Sequence, residues 1–318
     1  MKKEYVIGID IGGNNTELGI VDTKGNIISY DSIKTKEYNG KSVDLYIDDI
    51  YNKLLEMATS VGGFENIEGI GVGAPNGNYY TGKIEAAANL PWKEVELVKK
   101  FEAKFKLKTV LTNDANAAAG GEMIYGAAKG MNHFIEITLG TGVGSGIVVD
   151  GKVVYGHDGF AGELGHICID RKNGRPCGCG RKGCLETYTS ATGMANTARE
   201  ILQNTEKDSL LRQFNAEKLT SEDVYNAAIA GDEIAIEVFE YTGKILGEAF
   251  SDFVAFTTPQ AIILFGKPVR AGDLLLKPIK ESMEANLLKI WKGKVEVLPS
   301  KLNEDNAAIL GAAALAWQ

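Results

Sequence analysis

All four cysteines of this 318-residue chain fall in the stretch GELGHICIDRKNGRPCGCGRKGC, which runs from Gly162 to Cys184 and includes one of three histidines. His166, Cys177, Cys179 and Cys184 space as H-x10-C-x-C-x4-C. Three thiolates and one imidazole are a standard tetrahedral ligand set for structural Zn²⁺. In a reducing compartment, clustered thiols favour a metal over disulfides. Glycines between the ligands let the backbone wrap an ion, and Arg175, Arg181 and Lys182 are placed to offset thiolate charge. Cys168 is the rival fourth ligand. In a strand, residues 166 and 168 point to one side, so periodicity does not choose between them. A site closed by four protein ligands leaves no position for water, which argues against zinc-dependent hydrolysis.

Two glycine turns form the second group. Gly12-Gly13-Asn14-Asn15-Thr16 and Gly140-Thr141-Gly142-Val143-Gly144 expose backbone N–H groups that can cradle phosphate oxygens. Neither is a Walker A loop, and strands rather than helices follow both, so the dinucleotide fingerprint does not apply. Either turn alone reads as a tight hairpin; the pair, in matching halves of the chain, favours phosphate binding. Asp10 ends the first strand, where a carboxylate can hold Mg²⁺ or a water on it, or simply face solvent. Asp114 stands between an apolar strand and an alanine-rich helix. There a carboxylate can cap the helix or accept a proton in phosphoryl transfer. Spacing alone favours the cap.

The elements that must hold these groups follow from pattern. YVIGIDI, TELGIVD and IISYDSI read as three strands, residues 42–61 as a helix, and IEGIGVGAP as a buried strand. Residues 109–111 form another strand. Helices are expected at 190–203, 220–230 and 232–256. AIILFG and KVEVLPS are strands, and a small-residue helix with Asn303 or Asp305 as N-cap closes the chain. The opening IDIGGNNTELGIVD (9–22) returns as ITLGTGVGSGIVVD (137–150), the trace of two similar domains packed around a cleft.

Length suits two domains. The expected division is 1–113, completed by the helix at 303–318, and 114–302 with the metal loop. A net charge of -8 makes a poor general partner for nucleic acid. No apolar segment is long enough to span a bilayer and no signal peptide is recognisable, so a cytoplasmic protein is expected.

DIGGNNTELGIVD, GVGAPNG, NLPW, NDANAAAGGE, LGTGVGSGIVVDG, AGELGH, CGCGRKGCLE and NAAILGAAALA occur in that order. In these motifs, across essentially its whole length, the chain resembles the ROK family (repressors, open reading frames and sugar kinases). The resemblance implies an α/β, two-domain actin-like (ribonuclease-H-like) fold with a central cleft. It implies ATP- and Mg²⁺-dependent phosphorylation of a sugar hydroxyl, glucose at its 6-hydroxyl first. Asp114 becomes the general base. Asn89, Asn113, Asp114, Glu163, His166 and Glu186 become the sugar contacts. Asp10, Gly12, Gly13, Asn14, Thr141, Gly142 and Gly266 become the nucleotide and phosphate contacts. His166, rather than Cys168, joins Cys177, Cys179 and Cys184 on zinc. A homodimer or larger homo-oligomer is implied. Other sugars (N-acetylmannosamine, N-acetylglucosamine, fructose or allose) and a non-catalytic sugar sensor are the alternatives.

The chain departs from the family pattern in three places. Asn14-Asn15 replaces a frequent Thr-Lys. Gly266-Lys267-Pro268 replaces the usual Gly-Gly. Asn76 stands near a usual glycine, and Asn tolerates positive φ. Repressor members carry an N-terminal DNA-binding module. With a first strand at residue 5, none is expected here.

Overall fold

The structure, a computed structural model, describes residues 3–87 and 89–318. The glycine-punctuated apolar runs form β1 (Tyr5–Ile11), β2 (Thr16–Asp22) and β3 (Ile27–Ile33), an antiparallel meander. Helix α1 (Val43–Ala58) starts where the Ser42 hydroxyl accepts from Asp44 N, and it buries Tyr46, Ile47, Ile50 and Leu54, which recur at helical spacing on one face. β4 (Ile67–Gly73) adds parallel to β1. A short ribbon, β5 (Ile84–Glu85) with β6 (Glu94–Val95), and helix α2 (Leu97–Phe105) precede β7 (Lys108–Thr112), which adds parallel to β4. Helix α3 (Asp114–Ile124) follows.

The second half repeats the plan with β8 (Phe134–Leu139), β9 (Val143–Val149) and β10 (Lys152–Val153). Helices α4 (Glu186–Thr189), α5 (Ala191–Gln203), α6 (Ser221–Ile229) and α7 (Glu233–Thr257) intervene. Then come β11 (Ala261–Phe265), α8 (Asp273–Asn286), β12 (Glu296–Pro299) and α9 (Ala307–Leu315). The sheet orders are β3-β2-β1-β4-β7 and β10-β9-β8-β11-β12. Each reads third, second, first, fourth, fifth among its own strands. The short sequence repeat therefore marks a duplicated topology, with a glycine turn after the first strand of each copy.

Two compact units divide the chain. The first comprises Met1–Met131, Gly146–Gly162 and Lys301–Gln318; the second comprises Asn132–Ser145 and Glu163–Ser300. Strand β9 crosses that division. The sequence reading drew the boundary after 113, whereas α3 falls in the first unit. In that unit β1 alternates. Ile7, Ile9 and Ile11 enter a core with α1 and α2, and Val6 packs with Ile309, Leu310 and Ala313 of α9 on the other face. Gly71 of β4 makes that second layer possible, because a Cβ there would overlap the Ala312 carbonyl oxygen. The N-cap of α9 is Asn306, not Asn303 or Asp305; the Asn303 side chain instead accepts from Asp305 N at 3.1 Å in the preceding turn. Among the described residues, no helix is long and apolar enough to cross a membrane.

Candidate active site and metal centre

In the first unit, β1, β4 and β7 run parallel and end together. Asp10 pairs with Gly73, and Gly73 with Thr112. Gly73 lies between the two aspartates: a Cβ there would lie 3.6 Å from Asp10 Oδ1 and 3.8 Å from the Cα of Asp114, in ordinary contact with both. Burial, then the charges of Asp114 and Glu17, push the Asp10 carboxyl up to about 7. A half-buried acid short of countercharge fits a nearby cation.

The cap of α3 is Asn113, whose Oδ1 accepts from Asn116 N at 2.7 Å. Asp114 is the first residue inside the helix. It accepts from its neighbour Ala115 N at 2.9 Å, and its side chain is exposed. The capping role that spacing favoured for Asp114 therefore falls to Asn113, which leaves the Asp114 carboxylate presented at the strand edge.

Gly12 N closes the first glycine turn onto Asn15 O at 2.9 Å, and Asn14 is exposed. Gly13 packs against the carbonyl of Asn89, which lies exposed in the loop between β5 and β6. Behind the turn, Thr16 Oγ1 lies 2.6 Å from the Tyr46 hydroxyl, and the Tyr46 ring centroid lies 4.7 Å from that of Trp92. Asn76 has φ 53°, the conformation its side chain tolerates.

In the second unit, Gly140 N donates to Gly142 O at 3.0 Å, and Thr141 is exposed at the tip. Glu186 Oε2 accepts from Val143 N at 3.4 Å, so this carboxylate lies against the second glycine turn. Gly266, at φ 110°, packs on the end of β8, where a Cβ would overlap the Leu139 carbonyl oxygen. The glycine requirement is thus kept there although Lys267 and Pro268 follow.

His166 ends a 3-10 turn, Leu164–His166, instead of a strand, so the same-side argument linking it to Cys168 does not hold. Its Nε2 lies 4.0 Å from Glu163 Oε2. Its Nδ1 lies 3.5 Å from Glu186 Oε1 and 3.7 Å from Cys177 Sγ. The ligand atoms of His166, Cys177, Cys179 and Cys184 all lie within 4.8 Å of one another. Cys179 and Cys184 Sγ are 3.6 Å apart. A tetrahedron with zinc–sulfur bonds of about 2.3 Å has edges of about 3.8 Å, so the spacing fits Zn²⁺. Cys168 stands outside the group and donates to Lys182 O at 3.5 Å.

Hydrogen bonds from the backbone and side chain of Arg181 hold the Cys179 thiol below its ordinary range. Burial, then the contact with Glu186, pushes the Cys177 thiol up. Arg181 is thus the cation that answers the thiolates, and its Nη2 also donates to His166 O at 3.0 Å. Arg175 does not: its guanidinium turns to Glu200. Sequence reading missed Gly73, the Thr16–Tyr46–Trp92 chain and the true partners of Arg175. Only Gly73 left a signal, as one of the glycines in IEGIGVGAP.

Two sheets of like strand order, each with a glycine turn after its first strand, make this an actin-like ATPase fold. A glucokinase of Streptomyces griseus, solved with glucose and AMPPNP, shares it at a TM-score of 0.77 and 32% identity over 99% of both chains. The chain belongs to the ROK family, whose model matches residues 6–318. It is 37% identical to a glucokinase of Halalkalibacterium halodurans over 98% of this chain and 94% of that protein. It is also 30% identical to the xylose repressor of Bacillus subtilis, over 98% of this chain and 76% of that protein.

Proposed function

We propose that this protein is an ATP-dependent hexose kinase that phosphorylates glucose at its 6-hydroxyl. The observation that carries this reading is the presentation of Asp114. With Asn113 as cap, an exposed carboxylate stands at the end of the parallel strands beside Asp10. The full-length likeness to glucokinases supplies the substrate class. Asp114 accepts the proton of the attacking hydroxyl. The proposed sugar ligands are Asn89, Asn113 and Asp114 in the first unit and Glu163, His166 and Glu186 in the second. Amides and carboxylates suit vicinal hydroxyls, which both donate and accept.

The turns at Gly12, Gly13 and Asn14 and at Thr141 and Gly142 offer N–H groups to the phosphates, and the Gly266 loop seats the adenosine. Bound Mg²⁺ supplies countercharge for the transferring phosphoryl group; Asp10 would hold it or a water on it. Zinc on His166 Nδ1, Cys177, Cys179 and Cys184 would hold the loop rigid, leaving His166 Nε2 for the sugar. A homodimer or larger assembly is part of the proposal, and sedimentation tests it.

An ADP-release assay across glucose, fructose, allose, N-acetylglucosamine and N-acetylmannosamine decides the substrate. Asp114→Asn is expected to lower kcat by roughly 10²–10⁴-fold while calorimetry shows glucose still bound. Near-normal kcat would remove Asp114 as the base. The xylose repressor likeness and the exposed Asn14-Asn15 favour one second reading, a sugar sensor without catalysis. ATP turnover with any of these sugars eliminates it.

A further inference from the structure

We infer that Arg175 is a positioning residue that seats α4, and with it Glu186, through partners outside the Cys3His group that Glu186 also touches. Glu186 begins α4, a helix of four residues with no side-chain cap. One turn of helix does not stand by itself, because nucleation fixes several residues for a single hydrogen bond. Something outside the turn must hold it.

Arg175 does so from three directions. Its Nη1 donates to Thr187 O at 2.8 Å and to Gly193 O at 3.3 Å, joining α4 to α5. Its Nε and Nη2 form a fork on Glu200 of α5 at 2.9 and 2.6 Å, and Nη2 also donates to Thr197 Oγ1 at 3.0 Å. Its guanidinium carbon lies 4.5 Å over the ring of Tyr188, whose hydroxyl accepts from Arg175 N at 3.0 Å. The residues that follow Glu186 are thus gripped at a carbonyl and at a ring.

The Arg175 side chain is 12% exposed, against 56% for Glu200. The outer ion pair is screened and contributes little, while the part-buried bonds to the Thr187 and Gly193 carbonyls lose more if broken. Among the described residues, none of these partners belongs to the Cys3His group. Gly183 N also donates to Arg175 O at 2.8 Å, closing the base of the loop that carries Cys177 and Cys179, with Cys184 next to that base. The loop therefore has two anchors, a metal at its thiols and a guanidinium at its base.

Arg175→Met in zinc-loaded protein tests this. Zinc content should stay at about one per chain, since no ligand changes. Amide exchange across residues 186–190 should quicken by about ten-fold or more. On the kinase reading, the KM for glucose should rise roughly ten-fold, with kcat and the KM for ATP within about two-fold, the mark of lost ground-state binding. If Arg175→Met does not fold, Arg175→Lys serves. It keeps charge and stem but cannot reach Thr187 and Glu200 together, so exchange must rise in it too. Unchanged exchange in a folded variant overturns the inference, as does loss of zinc from one. The activity arm rests on the proposed function. If the wild-type protein phosphorylates no sugar, that function falls, and the exchange result still decides the role of Arg175.

Discussion

Asp10 ionises against resistance from its own surroundings. Burial is the main cause, and the carboxylates of Asp114 and Glu17 add to it. The folded protein keeps this proton up to about pH 7, whereas a freely solvated aspartate loses it near 3.8. The contribution of Asp10 to stability is therefore fully present below the lower value and lost as pH rises through about 7. Asp10→Asn cannot ionise. Without nucleotide or Mg²⁺, it should melt a few degrees above wild type at about pH 8 and by a much smaller margin at about pH 4.5, the gap closing only below about 3.8. Thermal denaturation at the two pH values checks this, and equal melting at the higher pH would contradict it. Residue types near this edge were legible in the sequence, but roles were not. Asn113 and Asp114 are adjacent and both can cap a helix, so only backbone geometry separates the cap from the carboxylate left over.

Among the elements, the metal loop and the α9 layer were legible to different depths. Ligand spacing in CGCGRKGC needs no tertiary knowledge, and the three thiols converge as that spacing suggests. The choice between His166 and Cys168 was hidden because it depends on a 3-10 turn that no periodicity announces. If the converging set is the ligand set, Cys184→Ser should lose zinc and Cys168→Ser should keep about one zinc per chain, as read by metal analysis. Stripping zinc with a chelator should raise the KM for glucose. The role of Arg175 was illegible for a related reason: its partners lie on α4 and α5, and sequence shows only a base beside thiols. In the α9 layer, Gly71→Ala forces the helix off the sheet and should cost about 1–3 kcal/mol of unfolding free energy, measured by urea denaturation. Stability unchanged from wild type would mean that α9 is not tightly seated.

At the scale of the whole molecule, the duplicated topology was the most legible feature. Two hairpins built around glycine turns left matching runs at 9–22 and 137–150, and both sheets repeat one strand order. The division into units was less so. α3 follows a strand of the first sheet without any break in composition, and its place is set by packing against α9, far away in sequence. That same packing constrains how the protein is made. Strands β1, β2 and β4 leave the ribosome early, but the helix that covers their second face is encoded more than two hundred residues later. At synthesis rates of about 5–20 residues per second, that face waits roughly 10–50 seconds for its cover. During this interval Val6 and Val21, with no α9 to pack against, are open to chaperones or to a neighbouring nascent chain. The first sheet to be translated is thus among the last parts of the molecule to be sealed.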